Sequence, residues 1–180
     1  MRWLHNILKG RRGPSMTALA TGKKAPDISL KTLDGKPFSL NEALARGHVL
    51  LAFFKVSCPI CQYAFPFLER LHKAYREKGY TLVGVSQNDA KETAAFNKEF
   101  GVTFPVLLDD TRTYPVSNAY GLTNVPTLFW IASDSEIEIS SVGWLRADFE
   151  EINRKMASVG NFSVVPVFKP GEEVADFRAG

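Results

Sequence analysis

Cysteine is scarce in this 180-residue chain: there are two, Cys58 and Cys61. A domain stapled by disulfides carries more of them at wider spacing, so cross-linking is not what holds this fold together. Long hydrophobic runs are missing too. None approaches the ~20 residues that a helix needs to span a bilayer, and no transmembrane segment is expected. Charge of one sign is not in strong excess. The net charge is +3, and six cations among the first 24 residues (Arg2, Lys9, Arg11, Arg12, Lys23, Lys24) meet no acid there, which leaves the remainder slightly acidic. Nucleic acid is excluded as a partner of the globular part, because phosphate binding needs a clustered basic face. Repeats, low-complexity tracts, a phosphate-cradling glycine loop and a Ser/His/Asp nucleophile order are absent. His5, His48 and His72 have no ligand-like spacing with the cysteines, and Asp109-Asp110 reads as a strand-end turn without a third carboxylate, so neither a metal nor a cofactor is expected.

What the chain does have is 45% hydrophobic and 12% aromatic residues, enough for one substantial core. Residues 1–20 read as a flexible basic leader, 21–160 as the globular domain, and 161–180 as a tail, either free or docked, with Val164–Phe168 as its edge strand or docking arm. In the leader, Trp3, Leu4, Ile7 and Leu8 fall at helical spacing beside basic residues, which would suit a short amphipathic helix on an anionic membrane. A segment this short is a marginal helix in water, so disorder, or a translation start at Met16, is the plainer reading. It lacks the continuous apolar region of a signal peptide. Cytoplasm is the default compartment, with periplasmic or membrane-associated placement left open.

Along the domain, Ile28–Lys31, the Asp34-Gly35 turn and Phe38–Leu40 form a β-hairpin. Asn41 is placed to cap a short helix that runs to Arg46 and stops at Gly47. His48–Val56 is nearly all apolar, as suits a central strand covered on both faces. Pro59–Lys78 has helical spacing ended by Gly79, with Pro66 predicted to kink it. Further strands are expected at Tyr80–Ser86, Phe104–Leu108, Thr127–Ala132 and Glu136–Val142. Further helices are expected at Asp89–Phe100, Val116–Tyr120 and Arg146–Val159. Strands and helices alternate first and then end in a hairpin and helix, the pattern of an α/β fold with a sheet covered on both faces.

The chemistry concentrates in Ser57-Cys58-Pro59-Ile60-Cys61, between an apolar strand and a helix. Two cysteines three apart share one face of a first helical turn and can close or open a disulfide ring. Cys58 would stand at the helix N-terminus, where free N–H groups and the helix dipole favour a thiolate, and Pro59 suits the first helical position. Cys61, one turn in, is the more shielded sulfur. Cys58 is therefore read as the attacking thiol and Cys61 as the resolving one. Trp130, Trp144 and the many phenylalanines read as packing.

The chain resembles the thioredoxin superfamily, specifically its TlpA/ResA-like and AhpC/TSA-type redoxins. The likeness rests on Ala25-Pro26-Asp27-Ile28 with Asp34-Gly35, Phe53-Phe54, Cys58-Pro59-Ile60-Cys61 with Pro66, the segment from Gly84-Val85-Ser86 to Phe104-Pro105-Val106, Asp109, and Tyr120-Gly121 followed by Val125-Pro126-Thr127. The resemblance implies a thioredoxin-like α/β fold over residues 21–160, with a central mixed sheet flanked by helices, an N-terminal β-hairpin and a central insertion. It also implies that Pro126 is cis and lies against the cysteine pair, with the Val125 backbone open to a substrate strand and Thr127 beside it.

Departures from the family are equally informative. Peroxiredoxins carry a threonine and a proline where this chain has Lys55 and Leu51. Thioredoxins carry a buried acid and a tryptophan where it has Ala52 and Ser57, and ResA-like proteins a glutamate where it has Ala64. Lys55 could favour the Cys58 thiolate or point outward along an apolar wall. The resulting expectation is a thiol:disulfide oxidoreductase supported by Pro59, Ile60, Lys55, Val125, Pro126 and Thr127. Its partners would be a protein or small-molecule disulfide or thiol and an external thiol reductant, with the oligomeric state unassigned. A peroxiredoxin-like peroxidase with Cys58 peroxidatic, and a redox-sensing interaction domain, are the alternatives.

Overall fold

β3 (His48–Phe54) is apolar at every position after the first because both of its faces are covered. Leu50, Ala52 and Phe54 turn one way and Val49, Leu51 and Phe53 the other, each set in its own core cluster. The computed structural model describes residues 17–180, so the readings of the leader, as a disordered stretch, a start at Met16 or a short helix over Trp3–Leu8, lie outside the described residues. β3 pairs in parallel with β4 (Tyr80–Ser86), which pairs in parallel with β5 (Val106–Leu108). On its other side β3 meets β6 (Thr127–Ile131) antiparallel, followed by β7 (Ile137–Val142), giving the order β5-β4-β3-β6-β7. This is a thioredoxin-like fold: a mixed five-stranded sheet flanked by helices, with a separate hairpin of β1 (Ser29–Lys31) and β2 (Pro37–Ser39).

α2 (Pro59–Tyr75), α3 (Ala90–Phe100) and α5 (Arg146–Gly160) send Phe65, Phe67, Leu68, Leu71, Phe96, Phe149, Ile152 and Met156 into one face. Phe54, Phe65 and Phe96 pack there in tilted and edge-on pairs with ring centroids 4.4–5.4 Å apart. Truncating one such ring to alanine costs about 3–5 kcal/mol. The hairpin, α1 (Leu40–Leu44) and α4 (Pro115–Ala119) cover the other face, where Ile28, Leu40, Leu44 and Tyr120 are buried. Among the described residues no helix is long and apolar enough to cross a membrane.

Several boundaries differ from the sequence expectation. β3 stops at Phe54 rather than Val56, because the Val56 N–H is taken by the Asn88 side chain, 2.9 Å away, instead of a neighbouring strand. α1 is capped by Ser39, not Asn41: Ser39 is extended, and its hydroxyl accepts the Glu42 N–H at 3.3 Å. α2 passes through Pro66 without ending there, and closes at Tyr75, with Arg76 and Glu77 both left-handed. Gly79 serves the turn that follows. A Cβ there would fall 2.4 Å from the Val159 carbonyl oxygen at a φ of +79°, so only glycine lets the turn pass α5 so closely.

Asp109 is buried, and it organises the crossing toward β6. Its carboxylate accepts from the N–H groups of Asp110, Val116 and Ser117 and from the Ser117 hydroxyl, at 2.8–3.2 Å, so it closes the N-terminus of α4. Thr17–Ala20, which the sequence reading put in the leader, run beside Tyr120, whose carbonyl accepts the Leu19 N–H at 3.1 Å.

Particular residues of 161–180 bond to α2, α5 and the Trp144–Leu145 strand. Val164–Phe168 form no strand, because the Val165 groups are satisfied from the helices: its N–H by the Tyr75 hydroxyl (3.0 Å) and its carbonyl by the Asn153 amide (2.7 Å). Val167 is buried beside them. The strand in this segment is instead β9 (Phe177–Arg178), antiparallel to β8 (Trp144–Leu145).

Candidate active site

The site stands at the end of β3 where the parallel strands deliver their carboxyl termini, the position open α/β sheets commonly use for ligands. Cys58 is extended (φ −82°, ψ 115°) and is the N-cap of α2, with Pro59 in the first turn. Its Sγ does the work that a serine or aspartate oxygen does elsewhere, accepting the Cys61 N–H at 3.3 Å. The Cys58 N–H in turn donates to the Lys55 carbonyl at 3.1 Å.

The two cysteines differ in environment. Both are free thiols; Cys58 is half-buried and Cys61 fully buried. Burial pushes the Cys61 thiol well above the ordinary thiol range, and the neighbouring Cys58 sulfur adds to that rise. Cys61 is thus held protonated while Cys58 meets solvent.

Across the site, the Val125-Pro126 bond is cis. The Cys58 thiol donates to the Val125 carbonyl at 3.3 Å. The loop that presents Val125 is fixed on both sides: the Thr127 hydroxyl donates to the Asn124 carbonyl at 2.8 Å, and the Gly143 N–H to the Pro126 carbonyl at 2.8 Å. Pro126 and Thr127 are buried, Val125 and Ile60 half-buried, and Pro59 exposed. Cys58, Cys61, Pro59, Val125, Pro126 and Thr127 therefore meet at one place. Lys55 is exposed beyond the end of β3, and its tie to the pair is through its carbonyl.

Two positioning residues escaped the sequence reading. Gln62 donates to the Val56 carbonyl at 2.9 Å while Asn88 receives the Val56 N–H, so both backbone groups of the residue two before Cys58 are pinned. Asn88 is itself held by its N–H to the Ser86 hydroxyl, which bonds Thr93 at 2.7 Å. The one available signal was position: Asn88 lies just past β4, at the same sheet end as Cys58. Tyr63, on the first turns of α2, packs edge-on to Trp144 with ring centroids 4.8 Å apart and extends the site toward β8.

Residues 21–140 match the model of the AhpC/TSA family. The chain is 31% identical over 144 residues to the thiol-disulfide oxidoreductase ResA of Geobacillus thermodenitrificans, spanning 79% of this chain and 80% of that one. It is 33% identical over 126 residues to the thioredoxin-like protein YneN of Bacillus subtilis, spanning 68% and 71% of the two chains. Among solved structures it is similar to a thiol:disulfide interchange protein of the thioredoxin family from Chlorobium tepidum TLS, at 28% identity and a TM-score of 0.63, over 77% of this chain and 99% of that one.

Proposed function

The chain belongs to the AhpC/TSA family as a TlpA/ResA-like redoxin, and from that premise we propose that it exchanges thiols and disulfides through Cys58 and Cys61. Thiol-disulfide oxidoreduction is the reaction class that its relatives support. The roles of the cysteines rest on one observation: the half-buried Cys58 sulfur lies between the Cys61 N–H and the Val125 carbonyl, while Cys61 is closed off behind it.

In the reducing direction the Cys58 thiolate attacks one sulfur of a substrate disulfide. The substrate S–S bond breaks, a Cys58–substrate disulfide forms, and the other substrate sulfur leaves as a thiolate. Cys61 then gives up its proton and attacks the Cys58 sulfur. The second substrate sulfur departs as the Cys58–Cys61 disulfide closes, so two electrons have moved to the substrate. An external dithiol, oxidised in turn, returns the pair to the reduced state.

Ala52 and Ala64, both fully buried, stand where related proteins carry acids. The Cys61 proton then passes to the thiolate released in the first step; because burial makes Cys61 hold its proton more tightly than an ordinary thiol, this transfer is uphill and is drawn forward by closure of the Cys58–Cys61 disulfide. Lys55 supplies a carbonyl to the loop and is assigned no proton-transfer step. Val125, ahead of Pro126, presents its backbone to an extended substrate, with Pro59 and Ile60 as the wall opposite.

The test is steady-state reduction of a protein disulfide with dithiothreitol as reductant. Turnover that survives Cys58→Ser would refute the assignment. Stopped-flow oxidation by hydrogen peroxide separates exchange from peroxidase chemistry, which Leu51 and Lys55 disfavour. Oxidation at the slow rate of a small-molecule thiol is the expected result.

A further inference from the structure

The segment that follows α5 crosses the front of Trp144 and comes to rest beside the cysteine pair. Its middle is firmly anchored: Arg70 meets Glu172 through two bonds of 2.7 Å and also donates to the Val167 carbonyl at 3.2 Å. The Trp144 indole N–H donates to the Ala175 carbonyl at 2.6 Å, and the Ala175 N–H to the Tyr63 hydroxyl at 3.2 Å. Beyond that point the segment is still tied, with the Arg146 N–H donating to the Asp176 carbonyl at 2.9 Å, but its side chains face solvent. Residues 176–180 are all exposed, with Phe177 60% accessible.

What these exposed residues touch is the reactive end of the molecule. Arg178 pairs with Trp144 in the β8–β9 ladder and lays its guanidinium 4.2 Å from the Tyr63 ring centre. The Asn124 amide donates to the Gly180 carbonyl at 2.8 Å. A Cβ placed on Gly180 would fall 2.6 Å from the Val125 carbonyl oxygen, and one on Gly143 would fall 2.7 Å from the Arg178 carbonyl oxygen. The backbone of residues 178–180 is therefore threaded between Gly143 and Val125. It rests against the carbonyl that accepts the Cys58 thiol.

We infer that residues 176–180 are a tethered occupant of the surface on which a substrate polypeptide lies, and that substrate must displace them to reach Cys58. This rests on the reading of Cys58 as the attacking sulfur. It also states what the surface selects. Its edge is the backbone of β8, which takes an extended strand antiparallel, and the Tyr63 ring beside it takes a cation. The favoured substrate is an extended polypeptide with an arginine or lysine near its disulfide. An anchored base followed by an exposed segment is what competition requires, because the segment stays at high local concentration and can exchange with substrate.

The test compares the full chain with a form lacking residues 177–180, using two substrates: a small aromatic disulfide and a protein disulfide. The small disulfide is expected to react with both forms. With the protein disulfide, the shortened form is expected to turn over about tenfold faster at subsaturating substrate, as the occupied fraction is lost. Arg178→Ala in the full chain, which leaves the fold intact, is expected to give about a two- to fivefold gain from loss of the ring contact. A synthetic Asp-Phe-Arg-Ala-Gly peptide is expected to inhibit the shortened form competitively. Equal protein-disulfide rates in all three forms, together with an inert peptide, overturn the inference while leaving Cys58 active. Failure of the small disulfide to react with any form overturns the reading of Cys58 as well.

Discussion

The Cys58 sulfur and the Val125 carbonyl oxygen lie 3.3 Å apart although 67 residues separate them in the chain. β3 and α2 bring the sulfur, and the loop before β6 brings the carbonyl. Because β3 and β6 are antiparallel neighbours, with Phe53 opposite Thr127, the two meet at one end of the sheet. The site is thus a consequence of strand order, and changes that disturb either delivery should be felt there.

Asp109 is the anchor of one delivery, since it closes the N-terminus of α4, from which the chain runs on to Val125. Asp109→Ala leaves the N–H groups of Val116 and Ser117 and the Ser117 hydroxyl without their acceptor. The expected cost is about 2–4 kcal/mol in a urea or guanidinium unfolding curve. A change below 0.5 kcal/mol would show that α4 holds its place without the cap.

Alkaline stability follows from three buried acids. Burial raises the Cys61 thiol and the Tyr80 and Tyr120 hydroxyls, so each keeps its proton in the folded chain at a pH where the unfolded chain loses it. Their stabilising contribution is complete below the unfolded values and falls as pH rises past them, first for the thiol at about pH 9 and then for the tyrosines at about pH 10. The reduced protein is expected to lose stability steeply across that range. Cys61→Ala should flatten the first part of the decline, and Tyr120→Phe the second, in melting temperatures recorded against pH.

Acid should loosen the segment that follows α5. The Arg70 guanidinium holds the Glu172 carboxyl down at about 2. A carboxyl lowered in the folded state stabilises above its unfolded value, near 4.5, and loses that contribution as pH falls toward 2. Limited proteolysis between residues 161 and 180 is expected to quicken across that window. Glu172→Gln should show the quickened rate already at neutral pH, and Arg70→Ala should match it.

How much of this was legible in the sequence differs from one residue to the next. Cys58, Pro59 and Cys61 were readable because their roles are local: an N-cap, a first-turn proline and a sulfur one turn on are fixed by spacing alone. β3 declared itself by covering both faces, and the helix expected over Asp89–Phe100 is α3, with Asp89 as its N-cap rather than its first residue. Asn88 was invisible because its value lies in a bond to Val56 across 32 residues, which no local pattern encodes. Residues 161–180 stayed open between an edge strand and a docked arm for a related reason. Val164–Phe168 has the composition of a strand, but Tyr75 and Asn153 meet its backbone with side chains. The true strand, Phe177–Arg178, is too short to carry a period.

The measurement that bears most directly on the cysteine roles is mass spectrometry of the adducts left on single-cysteine variants after exposure to a protein disulfide under non-reducing conditions. Cys61→Ser is expected to accumulate a mixed disulfide on Cys58 in high yield, because attack proceeds and resolution cannot. Cys58→Ser, whose remaining sulfur is buried, is expected to stay unmodified in the folded protein. A mixed disulfide on Cys61 in the Cys58→Ser variant, with none on Cys58 in Cys61→Ser, would contradict the assignment of roles.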